Sequence, residues 1–598
     1  MNIKLILRKE LLALFLAALL LGNRVAAQYT LDAVDQVSFK KGIKASGTFN
    51  LSSVGYTASG IPARRNPFDW FASASINLNF FGISAPFSFS YTNAQLNYSQ
   101  PFNRIKIIPQ YKWAKLHLGS GYMNFNDYTL ANHVFNGYGI ELTPRQFKFM
   151  AFKGTLQQAV PYNVQNPSGM AYKRNATGVL AGIDKGSWGV EWSALQAKDD
   201  PASIPVIPPT ATVFPQSNLA TSIKGKVQLT RWFRLDGTYA MSALTADNRD
   251  SAASGKDGNA TPGGAYSLLA KLYPKKTNTS YFDAIDFSAG FLFQRFNLQF
   301  KYNRVAPGYT SLGAYYTNND MENFTVAPAL SLFRGKINLA ANAGLQRNNL
   351  DHSKNATDKR FVASGNIAIN PGQHWSFNTA FSNFTMHTRV RPISDPFYVN
   401  GLDSLNFYQI NRTLTQMAMY NWGGKNIRQS ILLTVSHQQA QDQTNTSTGT
   451  GSTSTFITSN AAYTYMQVPH ALSVSAAFNY YTNHVQGIQT DYVGPSLTVT
   501  KGFLHKLLPV NAGITYNATT INGINAGNVL NARIGASCSL PMSPSATGGS
   551  AMANGKSKMV LKPRHTFNCN IQFTGKGAYA TNPAYKEWTV NTGYVMSF

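Results

Sequence analysis

Two pairs of basic residues, Arg104 with Lys106 and Lys224 with Lys226, stand in stretches that otherwise alternate apolar and polar side chains. On an extended chain, residues two apart share a face, so each pair presents neighbouring cations to one surface. Lys148, Arg234 and Lys301 hold the same polar parity in their own stretches, accompanied by Glu191, Asp236 and Asp286. Cations gathered on one wall enrich acidic solutes and bias a passage toward anions. The competing use is contact with lipid phosphates at a membrane–water boundary, and the sequence leaves both open. A second cluster lies in 306–321, where Tyr309, Tyr315, Tyr316, Asn318, Asn319 and Asp320 gather. Aromatic faces and amides suit contact with a sugar or a peptide; the same residue types are also ordinary loop formers.

Nothing in the chain points to covalent chemistry. It has no G-x-S-x-G elbow, H-E-x-x-H helix or phosphate-binding glycine loop. Its ten His are scattered without ligand spacing, so no catalytic site, cofactor, metal or nucleic-acid partner is expected. Cys538 and Cys569 are the whole thiol inventory. Two thiols make neither a disulfide framework nor a four-ligand zinc site. A bond between them and a pair of unreactive thiols both stay open.

The elements that carry these residues are strands. Phe296, Leu298, Phe300 and Tyr302 alternate with Asn297, Gln299, Lys301 and Asn303. Ile285, Phe287, Ala289 and Phe291 alternate with Asp286, Ser288 and Gly290, and Phe87, Phe89 and Tyr91 with Ser88, Ser90 and Thr92. Period two means one apolar and one polar surface. A soluble β-sandwich would also alternate, but it would expose a charged face. Here Ser, Thr, Asn, Gln and Gly dominate the second face, and only 13% of residues are charged, against about 25% in soluble domains. That suits a lipid-facing exterior around a wet interior. In lipid every backbone polar group must be paired, and only closure removes the free sheet edges. The reading is therefore all-β: a transmembrane antiparallel up-and-down β-barrel of about 26 strands, with 24 acceptable.

Connection lengths agree. Tight ones, such as Lys185-Gly186-Ser187, Arg231-Trp232 and Gly423-Gly424-Lys425, alternate with the longer stretches 157–174, 200–219, 244–281, 306–321, 390–407 and 442–454. Barrels of the bacterial outer membrane have short periplasmic turns and long external loops. Residues 541–563 break the rule, being long where a turn is due. An empty barrel of this size would leak, so a loop must narrow it; 306–321 and 244–281 are the candidates.

The amino end reads as an export signal. Lys4, Arg8 and Lys9 precede the apolar run 11–21, and Val25-Ala26-Ala27 offers small residues for cleavage before Gln28. Residues 1–27 are thus a signal peptide and 28–598 a single barrel domain. The net charge of +27 stays strongly positive after that removal.

The last strand places Trp588, Val590, Tyr594, Met596 and Phe598 on one face. It looks like the closing strand of bacterial outer-membrane proteins, which the barrel-assembly machinery reads at a terminal aromatic. The chain resembles large outer-membrane barrels of the Bacteroidota; Val305-Ala306-Pro307-Gly308-Tyr309-Thr310-Ser311-Leu312-Gly313, continued by Asn318-Asn319-Asp320, looks like a loop motif of one such group. The resemblance implies a bacterial outer-membrane location, with membrane lipid, lipopolysaccharide and the assembly machinery as partners. Alternation is already present at 44–51, which leaves no room for the plug domain of a TonB-dependent transporter. The expected role is a channel or transporter for a solute, an anionic one fitting the charge. The competing role is a non-transport barrel that anchors or scaffolds a protein partner.

Overall fold

The structure is a computed structural model. It describes residues 44–94, 103–163, 169–208, 213–250, 266–273, 276–315, 318–353, 357, 359–383, 385–388, 407–442, 453–485, 487–541, 564–578 and 583–598. Alternating sequence becomes extended chain almost throughout. β1 is Lys44–Ser59, β2 Phe68–Phe80 and β3 Ile83–Thr92; β4 is Arg104–Ile107 with Gln110–Tyr111. β5 to β9 are Ala114–Met123, His133–Leu142, Phe147–Gln157, Lys173–Asp184 and Trp188–Asp200. β10 to β14 are Ser217–Thr230, Phe233–Thr245, Thr279–Leu292, Phe296–Val305 and Met321–Leu332. β15 is Ile337–Arg347, β16 Lys359–Ile369, and β17 Trp375–Ser382 with Thr385–Thr388. β18 to β22 are Phe407–Gly423, Ile427–Asp442, Thr453–Gln467, Leu472–Val485 and Ile488–Phe503. β23 to β26 are Leu508–Ile521, Ile524–Pro541, Arg564–Lys576 and Tyr585–Ser597.

β4 and β17 are each one strand with a break. Pro109 cannot donate to the ladder, yet Phe87↔Ile107 and Ser84↔Gln110 keep a single register across it. Trp375↔Tyr420 and Thr385↔Ile410 do the same for β17. Every neighbouring pair is antiparallel, and β1 pairs with β26 from Thr48↔Ser597 to Ser59↔Lys586. The sheet is therefore a closed 26-strand barrel, as the alternation predicted. Gly47 and Phe598 finish the seam with reciprocal backbone bonds of 2.8 and 3.0 Å.

Register assigns the faces. Tyr138, Trp192, Ile223, Phe361, Phe478 and Leu497 are exposed on the outside. Their sequence neighbours Gly137, Ser193, Ser222, Val362, Asn479 and Ser496 point inward. Exposed apolar side chains around a closed wall are a lipid-facing belt. Trp113, Trp188, Trp232, Trp375 and Trp422 lie beside the tight turns, and Trp70 and Trp588 near the opposite rim. Such girdles mark the two membrane–water interfaces. No helix among the described residues is long and apolar enough to cross a membrane.

Both described chain ends lie at the tight-turn end, where Phe81-Gly82 links β2 to β3 with positive φ at both residues (51° and 85°). That is the geometry that two-residue hairpins favour. The rule of long loops at the other end has exceptions. Asn522-Gly523 between β23 and β24 is another such turn (φ 48° and 78°), and β21 meets β22 at Val485↔Ile488. Residues 542–563 and the export signal lie outside the described residues. Cys538 and Cys569 are free thiols, on the outer face of β24 and β25 by register.

The connection between β11 and β12 corrects an expectation. Its described helix α1, Tyr266–Leu272, packs on the outside of the wall and not in the lumen. Leu269 and the following Tyr273 cover Ala243, with Leu219, Met241 and Tyr281 alongside, all on the outer parity. The Tyr273 hydroxyl is 2.6 Å from Ser217 Oγ and 3.0 Å from Thr245 Oγ1 on the same face.

Candidate functional site in the lumen

The inner face of β5–β13 is roofed by two connections that turn inward, 124–132 after β5 and 306–315 after β13. Each has its own turn. The Asn126 side chain accepts from Tyr128 N at 3.0 Å and from the Thr129 hydroxyl at 3.2 Å. Gly308 takes φ 79°. A side chain there would collide with the ring of Phe282, so the 306–315 segment needs glycine at that point.

The two connections then bind each other. Ala131 pairs with Ala314 in a parallel bridge, and Ala131 N donates to Gly313 O at 3.0 Å. The Tyr309 hydroxyl donates to Tyr128 O at 2.8 Å, the rings meet edge to face at 6.0 Å, and Ser311 Oγ donates to Thr129 O. Polar wall residues hold the assembly from below. Asn126 Nδ2 donates to Ser222 Oγ at 2.7 Å and Ser193 Oγ at 3.0 Å. Asn303 Nδ2 donates to the Tyr128 hydroxyl at 2.6 Å. Asn218 is fully buried, donates to Ser242 Oγ at 2.7 Å, Ala243 O at 2.9 Å and Thr310 O at 3.3 Å, and accepts from Leu312 N at 3.2 Å.

Between loops and wall lies an apolar core. Phe125, Leu130 and Leu312 from the loops pack on Met123, Phe135, Met150, Phe152, Leu180 and Leu195. These wall residues are on the inner parity, where a water-filled barrel would carry polar groups, so the sequence encodes the shelf in the wall as well as in the loops. Burial pushes the Tyr128 and Tyr309 phenols well above their usual range. Asn218→Ala is expected to strand the groups it serves, at about 1–3 kcal/mol each. Faster cleavage of 306–315 by added protease in the folded barrel is the readout; an unchanged cleavage rate refutes it.

The basic residues all take the inner parity by register. Ser90↔Arg104, Ser88↔Lys106, Lys148↔Gly182, Glu191↔Lys224, Lys226↔Asp236, Gln228↔Arg234 and Ser288↔Lys301 share it. They are not equally free. Lys148 pairs with Glu191 at 3.0 Å, Arg234 with Asp236 at 2.5 Å, and Lys226 with Asp184 at 2.5 Å. The last pair spans a whole strand, because Gly189 stands between the partners without a side chain. No acidic group among the described residues comes within ion-pair distance of Lys106, Lys224 or Lys301. Lys224 and Lys301 flank Asp286, which accepts from Asn303 at 3.2 Å just beneath Tyr128. The cationic patch is thus smaller than parity alone implied: Lys224 and Lys301 form it on the tight-turn side of the shelf, and Lys106 stands apart on β4.

The loop cluster also changes character. Tyr309 is 0% exposed and serves packing rather than a ligand. Tyr315 is exposed and stacks on His133 at 4.1 Å. Asn319 Nδ2 donates to Tyr309 O at 3.1 Å, and Asp320 accepts from Leu350 N at 2.8 Å. Asn318 is exposed, and Tyr316 lies outside the described residues. Sequence reasoning missed 124–132; the signal available was Phe125 and Leu130, apolar residues in a connection that should otherwise have been polar.

The other half of the lumen is different. The inner faces of β20–β26 and β1–β3 carry mostly Ser, Thr, Asn and Gln, with Arg533 between Gly513 and Gln572 and a few aromatics such as Tyr56 and Phe71. Thr458, Asn511, Arg533 and Asn568 there are exposed.

No protein-family profile matches the chain, and no curated protein does. Among solved structures it is similar to the P pilus usher (PapC) translocation pore, at 9% identity and TM-score 0.37, over 93% of this chain and 99% of that one. It is also similar to the FrpB iron transporter from Neisseria meningitidis, at 9% identity and TM-score 0.34, over 94% and 83%. A third is Pseudomonas aeruginosa OccK8 (OprE), at 7% identity and TM-score 0.31, over 93% and 98%. At such values these likenesses add nothing to the barrel already read from strand register.

Proposed function

We propose that the protein is an integral barrel of the bacterial outer membrane that passes a hydrophilic solute, with anionic solutes favoured. The observation that carries this is the division of the lumen. One half is lined by a packed shelf, while the opposite wall keeps hydroxyl and amide side chains accessible to water. Lys106, Lys224 and Lys301, lacking ion-pair partners among the described residues, supply the anion preference. Residues 1–27 act as the export signal, and the strand ending at Phe598 engages the assembly machinery. Lipid and lipopolysaccharide surround the apolar belt. The loop motif at 305–313 is our basis for placing the chain among large barrels of the Bacteroidota.

In a planar bilayer under a salt gradient, the purified protein is expected to give discrete steps with an anion-selective reversal potential. Lys224→Glu with Lys301→Glu is expected to reverse its sign, since a charge change on each side of Asp286 turns a cationic patch into an anionic one. Cation selectivity in the unaltered protein refutes the assignment. The extent of the shelf favours one other reading, a barrel that anchors a protein partner. That reading predicts a silent bilayer and a stoichiometric companion on purification.

A further inference from the structure

The wall opposite the shelf carries an aromatic group that the conduction reading does not use. Phe456 on β20, Tyr481 on β21 and Tyr492 on β22 all have the inner parity. Phe456 and Tyr481 have ring centroids 6.5 Å apart at 42°, and Tyr481 and Tyr492 are 5.6 Å apart at 52°. All are half-buried. Among the inward side chains of β20–β22, which are mostly Ser, Thr, Asn and Ala, these three aromatics stand out. Tilted rings in sequence across three strands make a continuous apolar surface within a polar one.

The surroundings are built for hydroxyl groups. One row nearer the tight turns, Asn460 Nδ2 donates to Asn479 Oδ1 at 2.7 Å, and Asn479 Nδ2 donates to Ser496 Oγ at 3.2 Å. Gly494 completes that row as a glycine because the Tyr516 backbone comes too close for a side chain. Thr519, the register partner of Tyr492, is 2% exposed, and its hydroxyl has no hydrogen-bond partner among the described residues. The same is true of Asn483 Oδ1, which sits across from Phe456. Buried polar atoms are normally satisfied, so two orphans beside one aromatic cluster are groups awaiting a partner. The cluster lies close to the short β21–β22 connection, so it is reached from the long-loop mouth of the barrel.

We propose that Phe456, Tyr481 and Tyr492, with Asn483 and Thr519, form a saccharide-binding site in that mouth. The rings take the C–H faces of a neutral sugar, and its hydroxyls reach the amide row and the orphaned oxygens as the rings part. Recognition by aromatic surface plus a few placed polar groups is the general pattern of small-molecule sites. The site is separate from the cationic patch and does not depend on conduction.

The test is calorimetric titration of detergent-solubilised full-length protein with maltohexaose and with chitohexaose. Saturable heat is expected with at least one probe at millimolar concentration. Tyr492→Ala is expected to weaken binding about tenfold or more, the equivalent of one favourable contact. Tyr492→Trp, which keeps the stacking face, is expected to restore it, and Lys224→Glu to leave it unchanged. No heat with either probe, or equal affinity in Tyr492→Ala, overturns the site. Because binding is read without a bilayer, a silent conductance record does not bear on it.

Discussion

Tyr309→Ala is expected to raise conductance severalfold while the barrel itself stays folded. Tyr309 is the pin of the shelf: it has no exposed surface, its ring meets Tyr128, and its hydroxyl holds a carbonyl of the facing loop. Truncating a fully buried aromatic typically costs about 3–5 kcal/mol. Each 1.4 kcal/mol is roughly a factor of ten in an equilibrium, so the docked arrangement would lose roughly a hundredfold or more in preference. The cost falls on loop docking, because no strand pairing involves Tyr309. With 26 strands the cylinder behind the shelf is wide, and undocking exposes that width. Single-channel recording reads the change, and proteolysis of 306–315 reports whether the loops have left the wall. Loops that become cleavable while the conductance stays the same would mean that the shelf does not limit flow.

Thr592→Pro is expected to abolish barrel assembly. Thr592 lies mid-seam, between Ser53 on β1 and Cys569 on β25, and its hydroxyl is 2.7 Å from Ser53 Oγ. Proline removes a ladder donor and is found essentially only at strand edges or bulges. An unpaired backbone group facing hydrocarbon costs several kcal/mol, and a barrel that fails at its seam exposes two whole edges. Loss of the heat-dependent gel-mobility shift, together with loss of protein from the membrane fraction, is the readout. A folded, heat-shiftable product would show that the β1–β26 seam tolerates a gap. Thr592→Ser, which keeps both backbone and hydroxyl, is expected to assemble normally.

The wall was legible because lipid imposes a strict rule on it. Phe296 to Asn303 must alternate if one side meets acyl chains and the other water, and the register gives that arrangement. The seam was legible for the same reason in Trp588 and Val590. Loop placement obeys no such period. Leu269 and Tyr273 are apolar whether they pack inside or outside, so the sequence could not tell that α1 covers Ala243 from without. The shelf depends on Asn126, Ser193 and Ser222 meeting from remote parts of the chain. Their types are those of any polar inner wall, so nothing local distinguishes them. Parity found the inward Lys and Arg, but not their neutralisation. Lys226 meets Asp184 only because a glycine leaves the strand between them bare.

The short hairpins at β21–β22 and β23–β24 have a consequence for traffic at the cell surface. Here the wall ends in a low sill. A bulky visitor, such as a phage fibre or an antibody, would find headroom there. Extending the Asn522-Gly523 turn by a few residues would raise the sill without touching the cylinder.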